Sequence, residues 1–202
     1  MLPSRVLLRA VPRTYLYDLD VHGQLFLSST LHRTLANAFR GPFLDFFFTR
    51  LRRNDAQDDE ATRWRAKGYE FLSVCQGERN FLRPDKEGCG LVFQAIEGND
   101  LRYADTLSTA FDPSSLRVDP SSGYLFHPSP LSRRSRSRST KAEEPAASPY
   151  GPYSLLRSSL VLERFSDSLE LDDEKGGSFE WAGMRYKIGL LREGDVWRRA
   201  DR

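Results

Sequence analysis

Two runs that both read as strands, Tyr69–Cys75 and Glu78–Arg83, are separated only by Gln76-Gly77, and no other feature constrains this chain so tightly. A two-residue hairpin loop fixes which residues face each other. Cys75 must oppose Glu78, Val74 must oppose Arg79, and Ser73 must oppose Asn80. Further from the turn, Leu72 opposes Phe81, Phe71 opposes Leu82 and Glu70 opposes Arg83. Directly opposed residues share a face. One face therefore carries Leu72, Val74 and Phe81, with Arg79 and the Glu70–Arg83 pair at its ends, and is expected to be the core face. The other carries Ser73, Cys75, Glu78 and Asn80, closed off by Phe71 and Leu82. That polar face has two readings. Alternation alone makes a wet face on an antiparallel hairpin. Alternatively, Ser73, Cys75, Glu78 and Asn80, with Arg79 close by, form a small ligand site in which Glu78 is acceptor or base. Cys75 has no histidine near it in sequence to lower its pKa, which argues against a nucleophile.

Around the hairpin the pattern is mainly strands. Tyr15–Asp18 and Gln24–Leu27 flank Asp20-Val-His-Gly23, which has the Asp-first, Gly-last preference of a type I turn. Ser28-Ser-Thr30 offers capping oxygens to a helix with Leu31, Leu35 and Ala38/Phe39 on one side. Pro42 suits the first position of a second, largely buried helix through Phe43–Leu51, with Arg50, Arg52 and Arg53 at its C-terminal end. The acidic stretch Asn54–Thr62 reads as a loop, Cys89–Phe126 as further strands, and Tyr153–Phe165 as one long strand. Ala182-Gly183-Met184 marks another hairpin. The expected class is α+β: mainly antiparallel sheet built from hairpins, with two consecutive helices near the N-terminus. One domain over 15–191 is expected, with a disordered insertion about 129–151 where Arg-Ser repeats and Pro/Ala dominate, and a polar tail over 192–202.

Several function classes lose support. His22, His32 and His127 are far apart, and Cys75 and Cys89 alone make neither a disulfide framework nor a zinc site, so no metal and no cofactor is expected. Asp18-Leu-Asp-Val-His-Gly23 has the start of a calcium loop, but its twelfth position is Ser29 rather than Glu. Dinucleotide, phosphate-loop, nucleophile-elbow and His-Glu-x-x-His motifs are missing from the sequence. A net charge of only +2 disfavours nucleic acid as a partner. No apolar run approaches the ~20 residues of a membrane span.

The N-terminal residues 1–14 carry Arg5, Arg9 and Arg13 among Val6, Leu7, Leu8 and Val11, and the first acidic residue is Asp18. Arginine-rich, acid-free and amphipathic is a transit-peptide composition, so a mitochondrial (matrix) protein is expected. Tyr15–Asp20 with Gly23–Leu27, Phe46–Arg52 with Asn54, and Phe71–Cys75 with Glu78–Arg83 occur in an order that resembles uncharacterised protein family 0598 of eukaryotes. Leu125-Phe-His-Pro128 and the C-terminal hairpin fit the same resemblance, while the acidic insertion Asn54–Thr62, Arg53, Val74 and the Arg-Ser segment depart from it. The resemblance implies a mitochondrial association and no assigned reaction. The expected function is non-enzymatic: binding of a mitochondrial protein partner or an assembly role. The alternative is a domain, or an enzyme of unrecognised class, that takes a polar or anionic small molecule on the Ser73/Cys75/Glu78/Asn80 face.

Overall fold

The computed structural model describes residues 12–85, 89–131, 147–172 and 175–197. Its first sheet takes β1 (Thr14–Leu19), β2 (Leu25–Leu27), β3 (Leu51–Arg53), β4 (Phe71–Cys75) and β5 (Glu78–Pro84) in the order β2-β1-β5-β4-β3. β6 (Val92–Phe93) leads into a three-stranded meander of β7 (Ala95–Glu97), β8 (Asp100–Tyr103) and β9 (Leu107–Ala110). The remaining strands are β10 (Arg117–Val118), β11 (Leu125–Pro128), β12 (Tyr153–Leu156), β13 (Glu170–Asp172), β14 (Gly176–Trp181) and β15 (Met184–Leu190). With β6 they form a seven-stranded sheet, β13-β14-β15-β10-β11-β12-β6. The helices are α1 (Pro42–Phe48), α2 (Asp59–Arg65) and α3 (Ser158–Phe165). The chain is thus α+β and mostly sheet.

The β4–β5 register is the one that the two-residue loop dictates, from Cys75↔Glu78 through Phe71↔Leu82. Gln76 and Gly77 both take positive φ, 50° and 82°, the backbone of a type I′ turn. Ala182 and Gly183 repeat it, at 50° and 76°, between β14 and β15.

Both faces of this hairpin are covered, which corrects the expectation of one core face and one wet face. Phe71 and Leu82 belong to the main core, beside Phe47 and Phe48 of α1. Leu72 and Phe81 belong to a smaller cluster with Ala61 and Tyr69, against which Trp64 packs. Val74, assigned to the core face, is 40% exposed.

α2 itself corrects the loop expected over Asn54–Thr62. Asp58 caps it by accepting from the Ala61 N–H at 3.0 Å, Asp59 and Glu60 occupy the first turn, and Arg63 and Arg65 the last. Asn54 locks its N-terminal side, donating to the carbonyls of Ala61 and Tyr69, both at 3.1 Å. Arg79 spans from β5 to Asp58 (2.8 and 2.9 Å) and Glu60 (3.0 Å), and this pairing holds the Asp58 carboxyl down at about 2.

Two further elements differ from expectation. The helix expected over Leu31–Phe39 does not form; the segment is a series of turns with Leu31 93% exposed. Nothing packs against Leu31 and Leu35, and a helix that short is marginal without tertiary support. Phe39 finds a partner without it, meeting Tyr17 edge-on at 5.4 Å. The long strand expected over Tyr153–Phe165 breaks at Arg157, and Leu160, Val161 and Phe165 turn one side of α3 into the core. α1 starts at Pro42 as expected, but ends at Phe48, so Arg52 and Arg53 lie in β3 rather than at a helix terminus.

Within the segment expected to be disordered, residues 132–146 lie outside the described residues, as do 1–11 of the N-terminal segment and 198–202 of the tail. The described flanks are packed: Tyr150 donates to the Phe48 carbonyl at 2.8 Å and Ser148 to that of Pro130 at 2.9 Å.

His127 of β11 is buried between Phe111 and Phe93, with ring centroids 5.6 and 5.7 Å away. Its Nε2 accepts from the Asp112 N–H at 3.0 Å, so the proton sits on Nδ1, facing the Pro128 carbonyl at 2.9 Å. Burial pushes its pKa below the ordinary 6.5, against the opposing pull of the Pro128 carbonyl and Asp112. The folded state therefore resists protonation more than the unfolded chain does. Its contribution to stability is complete above 6.5 and is lost as pH falls through the lower folded value. The urea midpoint is expected to fall between about pH 7.5 and about pH 5.5, and His127→Gln is expected to flatten that fall. An equally steep fall in the variant would assign the effect to other groups.

Candidate functional site

The structure brings Ser73, Cys75, Glu78 and Asn80 onto one face, and that face is turned inward. The Ser73 hydroxyl donates to the Phe47 carbonyl at 2.8 Å and lies 3.2 Å from the Cys75 sulfur. Asn80 donates to the Ser73 carbonyl at 3.2 Å. The Ser73 bond ties β4 to a carbonyl at the C-terminal end of α1, a position that lacks a partner within the helix, and the Asn80 bond ties β5 to β4. Glu78 is half-buried at the turn. Tyr17 opposes Leu82 on the neighbouring β1, and its phenol is pushed up to about 12, first by burial and then by Tyr15, Glu78 and Cys75. Arg79 points to the other face, onto Asp58 and Glu60.

A different place in the fold concentrates positive charge in a concavity. β10 and β15 pair in parallel, with Arg117 opposite Gly189 and Val118 opposite Leu190. There an open cleft of about 830 Å³ is lined by Arg117, Lys175, Lys187 and Arg192, with Asp195 the single carboxylate, and with Tyr153 and Ser114 on its walls. Four cations against one carboxylate leave +3 in the cleft, whereas the whole chain carries +2. Among the described residues, no acidic side chain pairs with any of the four. Asp195 is already engaged, accepting from the Arg192 backbone N–H at 2.9 Å.

Local structure presents Arg117 to the cleft. A Cβ on Gly189 would fall 3.2 Å from both Cδ and Nε of Arg117 and 3.3 Å from Cζ. The arginine side chain therefore lies across β15 at Gly189, and a side chain at 189 would press on it by a few tenths of an ångström. Its Nη1 donates to the Leu116 carbonyl at 2.9 Å, and its guanidinium carbon lies 5.9 Å from the Tyr153 ring centre. The remaining N–H groups are available to a planar or tetrahedral oxyanion, the geometry a guanidinium matches best. Lys187 lies on β15 opposite Ser178, and Lys175 immediately precedes β14.

A second ion cluster is structural. Asp18 is 3% exposed and takes Arg83 in a two-pronged contact, Nε at 2.7 Å and Nη2 at 3.0 Å, together with Arg33. Arg83 lies over the Tyr69 ring, and Tyr69 donates to Ser28 at 3.0 Å. Among the described residues no three His, Cys, Asp or Glu side chains converge as a metal site would require, and no helix is long and apolar enough to cross a membrane.

Sequence reading did not find the cleft, because its cations come from four separate stretches. One signal was present: a glycine inside a strand marks a close approach, and Gly189 follows Lys187 at strand spacing.

Sheets closed by short helices, with a cationic cleft beside a parallel strand pair, define a β-rich α+β domain. The chain belongs to the family of the domain of unknown function DUF4505, whose family model matches residues 9–191. The match spans all three sheets and includes Arg117, Lys175 and Lys187; Arg192 is the next residue beyond it. No solved structure matches the chain.

Proposed function

We propose that this protein is a non-enzymatic mitochondrial binding domain that holds a multiply anionic, phosphate-bearing small molecule between Arg117, Lys175, Lys187 and Arg192. The observation that carries this reading is the cleft's charge of +3, with no acidic side chain answering it among the described residues. Its volume of about 830 Å³ lies in the range of small-molecule sites. The Ser73/Cys75/Glu78/Asn80 face supports a ligand site less well, since Ser73 and Asn80 spend their donors on protein carbonyls.

Calorimetric titration with pyrophosphate tests this. Wild-type protein is expected to bind it, and Gly189→Ala, which leaves every charge in place but presses on the Arg117 side chain, is expected to weaken binding. No binding by the wild type would sink the reading.

The mitochondrial part rests on Arg5, Arg9 and Arg13 ahead of the first acidic residue, Asp18, and on the resemblance to uncharacterised protein family 0598. Residues 1–14 fused ahead of a fluorescent protein are expected to direct it to mitochondria, and changing the three arginines to glutamine is expected to leave it diffuse. A diffuse signal from the unaltered segment would remove this half of the proposal.

A further inference from the structure

We infer that the ligand of the basic cleft is zwitterionic: an anionic phosphate head on a short carbon chain that ends in an ammonium group, received by Glu193. This rests on the reading of the cleft as an anion site. A second cavity, of about 380 Å³, shares Leu191 and Arg192 with the cleft. Its charge has the opposite sign. Asp119 and Glu193 line it, with Arg192 the single cation, and Pro120, Leu191 and Val196 supply an apolar stretch.

The two carboxylates are not equivalent. Asp119 is buried, and its oxygens accept from the hydroxyls of Ser121 (3.0 Å) and Ser122 (2.7 Å). Glu193 is exposed and has no hydrogen-bonding or ionic partner among the described residues.

The turn that carries Arg192 and Glu193 is fixed in shape. The Asp195 N–H donates to the Arg192 carbonyl at 3.1 Å, closing a four-residue turn, and Gly194 supplies the positive φ of 86° that its third position needs. The Asp195 carboxylate closes it a second time through the Arg192 N–H. Tyr153 donates its N–H to the Asp195 carbonyl at 3.0 Å, anchoring the turn to β12. Arg192 lines both cavities and Glu193 only the second, so a ligand that crosses between them meets a cation and then a carboxylate on one braced turn. Such a ligand needs an anion at one end, a few apolar atoms beside Leu191 and Val196, and a cation at the other. A neutral polyol tail would leave Glu193 unanswered, and a second phosphate there would meet its charge.

Titration of the full chain with O-phosphoethanolamine and with glycerol 3-phosphate tests this. Both present the phosphate, and only the first carries the ammonium. O-phosphoethanolamine is expected to bind about fivefold tighter, the range of a single exposed ion pair. Glu193→Gln is expected to erase the difference between the two ligands. Equal affinities in the wild type, with both ligands bound, overturn this inference and leave the anion site standing. A preference that survives Glu193→Gln overturns it as well. If neither compound nor pyrophosphate binds, the anion site itself fails and the inference falls with it.

Discussion

Lys187→Glu is expected to weaken pyrophosphate binding by about a hundredfold, through the loss of one charge-assisted contact and the gain of a like charge facing the ligand. The substitution takes the cleft from +3 to +1, the largest change a single position there permits. The fold is expected to tolerate it. Lys187 is exposed on β15, opposite Ser178, and exposed positions outside caps and networks usually shift stability by no more than about 0.5 kcal/mol. Lys187→Gln is expected to fall between the two, near tenfold. The control is Lys67→Glu, which makes the same change in net charge outside the cleft's lining, where Lys67 lies over the Trp64 ring. A local site predicts that Lys67→Glu binds like the wild type at about 0.15 M salt, where charges beyond about 8 Å are screened. If both glutamate variants lose affinity equally, the attraction is a property of the whole molecule and the cleft is no site. If Lys187→Glu binds normally, Lys187 does not touch the ligand.

The register of the β4–β5 hairpin was legible because it is a local matter: two residues with the right chemistry leave one geometry. The allocation of its faces was not local. Alternation separates Leu72 and Phe81 from Phe71 and Ser73, but which set is buried depends on what lies above and below. Here α1 covers one side and α2 the other, so Ser73 and Asn80 are as buried as Leu72 and Phe81. α2 had left its own signals in the sequence: Asp58 three residues before Ala61, acids in the first turn, arginines in the last. The cap and the acids lay inside an acidic stretch whose composition resembles a loop, and the arginines just beyond it. The converse happened at Ser28–Phe39, where caps and spacing favoured a helix that no neighbour supports.

The cleft illustrates a different limit. Arg117 joins Lys175, Lys187 and Arg192 because β10 pairs in parallel with β15, while the β14–β15 hairpin brings Lys175 beside β15 and the turn after β15 folds back to β12. Nothing in the spacing of those four residues announces the crossover that joins them. A strand pattern reveals which residues alternate, whereas parallel pairing of distant strands is decided by the whole core.

Phe71→Ala is expected to be the most damaging single truncation in the hairpin, lowering stability by about 3–5 kcal/mol. Across a domain of this size that corresponds to roughly 10 °C in Tm. Phe71 is fully buried, opposes Leu82, and lies 6.3 Å from the Trp197 ring. Leu72→Ala, in the smaller cluster beneath α2, is expected to cost less, about 2–3 kcal/mol. That order is opposite to the one expected if Leu72 and Phe81 formed the main core face. Gly90 gives the test a sharper edge. A Cβ there would fall 2.5, 2.6 and 2.9 Å from the Cζ, Cε1 and Cε2 atoms of Phe71, too close for the ring to stay where it is. Gly90→Ala alone is therefore expected to destabilise the protein, by about 1–3 kcal/mol as overpacking does. In the Phe71→Ala background the same methyl group enters the vacated space, and the double variant is expected to be at least as stable as Phe71→Ala alone. Such a change of sign between backgrounds marks direct contact, whereas independent sites add to within about 0.5 kcal/mol. Additive losses measured by urea denaturation would mean that Gly90 and the Phe71 ring do not meet, and would remove the packing by which this face of the hairpin enters the main core.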